Sequence, residues 1–194
     1  MHSNGFFNSE RVMEDPMLLD HAAQDLVALL QSELFPLAPL NRVVGPAMGA
    51  ITLAHDLARN ISITRGGKPC LRGYAEKATV GNERRMEFGR AGPRTSELVL
   101  PCEDVLTTGG SVESMLDAVA SAGALAVPFV LVLVNRSGLT SIAGHRIIAL
   151  IERHLPIWKP NECPLCKEGS VALRPKGEEN WKQLLQEYPQ EVHQ

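Results

Sequence analysis

Residues 98–111 read Leu98-Val-Leu-Pro-Cys-Glu-Asp-Val-Leu-Thr-Thr-Gly-Gly-Ser111. An apolar run, Leu98-Val99-Leu100, starts a strand; two adjacent carboxylates, Glu103 and Asp104, follow; a small-residue loop from Thr107 to Ser111 then opens a helix. That helix is expected over Ser111 to Ala122, with Val112, Met115, Leu116 and Val119 inward and Gly123 as its stop. The loop offers hydroxyls and unhindered N–H groups at a helix N-terminus, where orphan amides and the positive dipole end favour a phosphate. Carboxylates beside such a cradle would repel the phosphate itself. Glu103 and Asp104 therefore suit ribose hydroxyls, or a Mg²⁺ shared with a diphosphate. The bland alternative is a polar strand–turn–helix, and the acid pair directly before Thr-Thr-Gly-Gly argues against it.

Outward from this stretch, strands and helices alternate. Asp15-Pro16 opens a helix to about Ser32, with Leu19, Ala22, Ala23, Leu26 and Leu30 at helical spacing. Arg42 to Val44 is a short strand closed by Gly45-Pro46, and a second helix is expected from Ala50 to Arg59, ending at Asn60. Ile61 to Ile63 reads as a strand, as does Leu71 to Lys77, and the following stretch to Thr95 is poor in large apolar residues. Val127 to Val134 is a near-continuous apolar strand, the mark of a sheet covered on both faces. One more strand runs from His145 to Ile151. The pattern predicts an α/β domain with a largely parallel sheet.

The 194 residues suit one domain, and 44% hydrophobic with 21% charged residues is a globular mixture. A net charge of −3 excludes a generally basic nucleic-acid binder, and 5% aromatic content disfavours stacking platforms for single strands. Four cysteines are too few for a disulfide scaffold. The first residues lack a signal peptide's basic and apolar regions, and the longest apolar run, Ala122 to Val134, contains Pro128 and is too short to span a bilayer. A cytoplasmic protein is the expectation. Neither G-x-x-x-x-G-K-[ST] nor G-x-G-x-x-G occurs, which leaves P-loop and dinucleotide folds unsupported.

CEDVLTTGGS resembles the phosphoribosyl diphosphate (PRPP) signature of type I phosphoribosyltransferases. Three further segments narrow the resemblance to orotate phosphoribosyltransferases. Val43 to Ile51 (VVGPAMGAI) is similar to the first diphosphate loop, Val134 to Gly138 (VNRSG) to the strand end that presents an arginine to orotate, and His2 to Asn8 (HSNGFFN) to the end of the substrate hood. The implied fold is a parallel sheet flanked by helices, with a small, shortened N-terminal hood over residues 1–14 and a mobile loop over 77–94. The domain would occupy residues 1–158 and a C-terminal tail residues 159–194.

The resemblance implies Mg²⁺-dependent transfer of ribose 5-phosphate from PRPP to orotate, in a homodimer whose mobile loop reaches the partner's site. PRPP would be held by Glu103, Asp104, Val105, Leu106, Thr107, Thr108, Gly109, Gly110 and Ser111, by Met48 and Gly49, and by Lys77, Arg84 and Arg85 of the loop. Lys77 and Asp104 would be catalytic. Arg136 would clamp the orotate carboxylate, beside Thr107 and under Phe6 and Phe7; the two phenylalanines read equally well as core anchors. Another type I enzyme acting on a purine or other base, or a PRPP-binding regulator without turnover, are the competing readings. This chain departs from the family at Met48, where a lysine is frequent, and in having no histidine between Lys77 and Arg94. Pro101 and Cys102 also stand in a strand that is usually unbroken and apolar.

Cys163-Pro-Leu-Cys166 has the spacing of half a zinc site. A reduced turn is the preferred reading, then zinc, then a disulfide; further ligands would come from His154 or a second copy. Cys70 and Cys102 read as buried small apolar residues.

Overall fold

A computed structural model of the chain describes residues 2–81, 83–173, 180 and 182. In chain order the elements are β1 (His2–Ser3), α1 (Glu10–Met13), α2 (Pro16–Ser32), β2 (Arg42–Pro46), α3 (Ile51–Thr64), β3 (Leu71–Val80), β4 (Glu83–Phe88), β5 (Leu98–Leu106), α4 (Gly110–Ser121), β6 (Leu125–Ala126), β7 (Phe129–Asn135), β8 (Ser141–Ile142), β9 (His145–Glu152), β10 (Ile157–Trp158) and α5 (Pro164–Lys167). They fall into two compact units: residues 7–154, and the residues through Phe6 together with those from Leu155 on. His2 and Ser3 pair antiparallel with Trp158 and Ile157, which joins the start of the chain to its C-terminal segment.

In the larger unit the strand order is β4-β3-β2-β5-β7-β9-β8, with β6 also on β5. Strands β2, β3, β5, β7 and β9 are mutually parallel, and β4 and β8 run antiparallel at the edges. Strand β7 shows why its run is continuously apolar. Leu131 and Leu133 face the core built with α2 and α3, while Val130 and Val132 face Val112 and Leu116 of α4. Helix α2 starts as its sequence predicts: Pro16 is in the first turn and the Asp15 carboxylate accepts from the Met17 and Leu18 amides at 2.9 and 3.1 Å. Among the described residues no helix is long and apolar enough to cross a membrane.

The strand expected at Ile61 to Ile63 is instead the last turn of α3. Leu53, Ala54, Leu57, Ala58 and Ile61 form one buried stripe at helical spacing, and that stripe carries the helix through Asn60. Asn60 does not stop it, because its side-chain amide donates to the Asp56 carbonyl at 3.0 Å and to Asp20 at 2.8 Å. Pro101 does not break β5 either. On one side β5 pairs with β6 only as far as Val99 and with β7 only from Cys102, so the proline lacks an amide where the ladder lapses.

At the opposite end of β2 and β5, Arg42 Nε donates to Glu97 Oε2 at 2.8 Å and its Nη1 to the Arg72 carbonyl at 2.9 Å. The arginine is almost fully buried, and the guanidinium bonded to Glu97 holds that carboxyl below its ordinary range. Removing one partner of such a pair strands the other. Glu97→Ala should cost about 3–5 kcal/mol, read as a lower urea midpoint at neutral pH. Because the folded-state pKa is lowered, this contribution is present above the unfolded carboxylate range and lost as pH falls through the folded value. The gap between wild type and variant should therefore narrow in acid.

Candidate active site

The carboxyl ends of β2, β5 and β7 share one edge of the sheet, where open α/β sheets bind ligands. Past Pro46 the Ala47 amide donates to the Ala75 carbonyl at 2.8 Å, so the turn stays beside β3. The Ala47–Met48 peptide is cis, and the Met48 side chain is exposed. Gly49 approaches the acid pair so closely that a Cβ there would lie 2.6 Å from Asp104 Oδ2. A side chain at this position would displace that carboxylate. Ser9, just before α1, leaves the helix uncapped; its hydroxyl donates to Asp104 Oδ2 at 2.8 Å instead.

Glu103 is buried at the end of β5. Burial pushes its carboxyl well above the ordinary range, the neighbouring Asp104 carboxyl adds to this, and the Lys77 ammonium pulls in the opposite direction. Lys77 belongs to the part of β3 that continues past its last pairing with β2 at Ala75. Its charge is therefore felt at Glu103.

Beyond Leu106 the chain turns into α4, a helix of 12 residues whose N-cap Gly109 has φ +86°. A side chain at Gly109 would meet Ile142 at 3.1 Å and Leu139 at 3.8 Å, so this loop and the one after β7 pack together. Thr107 and Thr108 remain exposed, as does Gly110. Val105 is half-buried and Leu106 buried in the apolar layers beside β5, so what they can offer a ligand is backbone.

Leu106 pairs with Asn135 across β5 and β7, and the Arg136 amide donates to the Leu106 carbonyl at 3.0 Å. Thr107 and Arg136 are thereby held side by side. Arg136 is only 5% exposed, and burial lowers the pKa of its guanidinium. Its loop is tied down by Asn135, whose side chain donates to the Leu139 carbonyl at 2.8 Å and accepts from the Ser137 amide and hydroxyl at 3.1 and 2.7 Å. Sequence reasoning picked out Val134 to Gly138 for its arginine but missed the bonds by which Asn135 ties the turn, and it missed Ser9. The Asn-x-Ser turn signal was there to be read; nothing in the sequence marks Ser9.

The segment expected as a mobile loop over residues 77–94 is built largely as a hairpin. Lys77 opposes Met86 and Val80 opposes Glu83, with Gly81 at the turn (φ +62°). After Phe88 the chain folds back, so that Gly92 presses on Phe88 and the Ala91 carbonyl lies over Gly73. Arg84 and Arg85 line a groove of about 380 Å³ with Asp117 and Ser121 of α4, and Arg85 Nε donates to Glu87 at 2.7 Å. That groove includes none of the acid pair or the Thr107–Ser111 loop. Phe7 packs on the main core, whereas Phe6 is 43% exposed. Cys102 is fully buried and the Cys70 thiol is pushed up to about 11 by burial, so both behave as apolar side chains. His154 covers Gly138 within the larger unit and is not grouped with Cys163 and Cys166.

A parallel sheet carrying an acid pair, a small-residue loop at a helix N-terminus and a glycine turn against the acids is the architecture of a type I phosphoribosyltransferase. A solved adenine phosphoribosyltransferase from Rhodothermus marinus shares this fold, with a TM-score of 0.57 and 20% identity over 76% of this chain and 86% of that one. The crystal structure of orotate phosphoribosyltransferase from Aeropyrum pernix superposes with a TM-score of 0.59 and 25% identity, covering 76% of this chain and 78% of that one. The orotate phosphoribosyltransferase of Heliobacterium modesticaldum is 33% identical over 175 residues, 90% of this chain and 84% of the relative. The chain belongs to the orotate phosphoribosyltransferase family. No family model matches it.

The raised Glu103 carboxyl has a measurable consequence. A folded-state pKa above the unfolded one means that stability falls as pH rises through the carboxylate range and beyond, while the folded group ionises. Glu103→Gln removes that term. The variant should melt higher than wild type at neutral pH and show a flatter pH dependence, followed by thermal midpoints across a pH series.

Proposed function

We propose that this chain transfers the ribose 5-phosphate of PRPP to a ring nitrogen of orotate, releasing diphosphate and giving orotidine 5′-monophosphate for pyrimidine (UMP) synthesis. What carries the choice of acceptor is the neighbourhood of Thr107 and the buried Arg136. A planar guanidinium suits the carboxylate of an anionic base bidentately, and a purine has no use for it.

In this reading the amides and hydroxyls of Thr107 to Ser111 hold the 5-phosphate, with Val105 and Leu106 contributing backbone. Glu103 and Asp104 accept from ribose hydroxyls. The Met48 and Gly49 backbone and Lys77 face the diphosphate, with Arg84 and Arg85 brought in as the hairpin closes. Asp104, a half-buried oxygen donor against an open loop, fits a Mg²⁺ carried on the diphosphate, and the ion when bound neutralises leaving-group charge. As the bond at C1 lengthens, the ribose becomes oxocarbenium-like and negative charge builds on the departing diphosphate. Lys77 and the loop amides stabilise that charge where it develops. Orotate is already an anion, so its nitrogen needs no strong base.

The hairpin arm beyond Ala75 extends past the β2 ladder. That leaves the tip of the arm, with Arg84 and Arg85, free to reach a partner in a homodimer, while Lys77 lies within electrostatic reach of its own chain's Glu103. All four cysteines are unpaired, which suits a reducing, cytoplasmic setting.

Loss of orotate absorbance on adding PRPP and Mg²⁺ tests the reaction. Turnover of a purine but not of orotate, or PRPP binding with no acceptor consumed, would overturn it. Asp104→Asn should lower kcat/KM for PRPP about 10²-fold, and Arg136→Ala should raise the orotate KM by about 10- to 100-fold with little change in PRPP KM. Mixing inactive Lys77→Ala and Asp104→Asn chains should restore activity if the lysine crosses between subunits. If the mixture stays as inactive as its parents, each lysine serves its own site.

A further inference from the structure

In the smaller unit, His2, Cys163 and Cys166 converge although 161 positions separate the first two. Their Nδ1 and Sγ atoms all lie within 4.8 Å of one another. His2 Nδ1 is 3.3 Å from Cys166 Sγ and 3.4 Å from Cys163 Sγ. One ring nitrogen carries at most one proton, so it can donate to one sulfur, not equally to two. Near-equal distances to both sulfurs are what a shared ion produces. With Zn–S near 2.3 Å and Zn–N near 2.0–2.1 Å, a tetrahedral centre sets N and S about 3.6 Å apart. Both distances come close to that edge.

Local structure supports the same conclusion. Cys163 caps α5, and the Cys166 amide donates to Cys163 Sγ at 3.4 Å, a bond that stabilises a thiolate ligand. Cys163 is fully buried and Cys166 exposed, so the centre has one closed side and one side open to solvent. Among the described residues of this unit, Cys163 is the one buried apolar side chain. A unit with so little core needs another staple, and a structural metal is the usual one. Two thiolates and an imidazole select zinc over magnesium or calcium.

We propose that His2, Cys163 and Cys166 bind one zinc ion, with water at the fourth corner, tying β1 to α5. The proposal stands whatever the acceptor base. The full chain, with no residues added before Met1, is purified under reducing conditions, loaded with zinc and dialysed. Elemental analysis should find about one zinc per chain. Cobalt in its place should give a thiolate-to-metal charge-transfer band and the intense visible bands of tetrahedral coordination. Cys163→Ser and Cys166→Ser should each abolish both signals and His2→Ala weaken them, while His2→Cys restores binding with a stronger charge-transfer band. Chelation should speed amide exchange at residues 2–3, 157–158 and 163–167, a readout that needs no variant to fold. Protein with four titratable thiols that takes up no zinc overturns the proposal. Metal retained after both cysteines are replaced does the same.

Discussion

Two carboxylates at the end of a buried strand cannot both be charged at low cost. Glu103 is inside the protein and Asp104 is its immediate neighbour, so burial and the Asp104 carboxyl together raise the free energy of ionising Glu103. The surrounding structure answers this constraint piece by piece. Ser9 donates to Asp104, Gly49 brings bare backbone against it, and Lys77 acts on Glu103 from the extended arm of β3. A hydroxyl-rich sugar bearing a diphosphate and its cation would complete the set. Relief of that electrostatic cost would favour a polyol over an apolar ligand.

The constraint works only because β5 lies between β2 and β7 in parallel. Parallel pairing sends every strand's carboxyl end to the same edge, so the Ala47–Gly49 turn, the acid pair and Arg136 arrive together despite their distance in sequence. The register decides which residues meet. Leu106 opposite Asn135 brings Thr107 beside Arg136; a slip of one residue would turn the arginine to the other face. The Arg42–Glu97 pair lies near the amino ends of β2 and β5, where it can stiffen their pairing without taking part in the site.

How much of this was legible beforehand depends on whether the signal was local. Strand, acid pair, loop and helix are contiguous in residues 98–121, and periodicity with glycine placement was enough to read them. The end of α3 was misread because Ile61 to Ile63 is β-branched in part and follows an asparagine, both local arguments for stopping. A buried stripe running from Leu53 to Ile61 and a bond from Asn60 to Asp20 on α2 overrode them. The hairpin was hidden for a different reason. Met86 and Phe88 alternate with charged residues and pack on the core beside Val44 and Met115, but residues 77–79 carry no large apolar side chain to set a register, so nothing announced that Lys77 would pair with Met86. Ser9 was invisible because its partner lies 95 positions away, and only the fold brings its hydroxyl to Asp104.

The two centres of the molecule mark the limits of such reading. Adjacent acids before Thr-Thr-Gly-Gly form a chemical pattern within one line of sequence. Cys163-Pro-Leu-Cys166 is only half of a pattern, and its complement is a histidine at the far end of the chain. Searching nearby in sequence favours His154, which in fact covers Gly138. The pairing of His2 with Trp158 decides the matter, because it brings the first strand alongside the segment that leads into α5. A ligand set split between the two ends of a chain is a property of topology. It also explains why so small a unit can be specified at all: three donors on two short segments replace the apolar core that those segments are too polar to build.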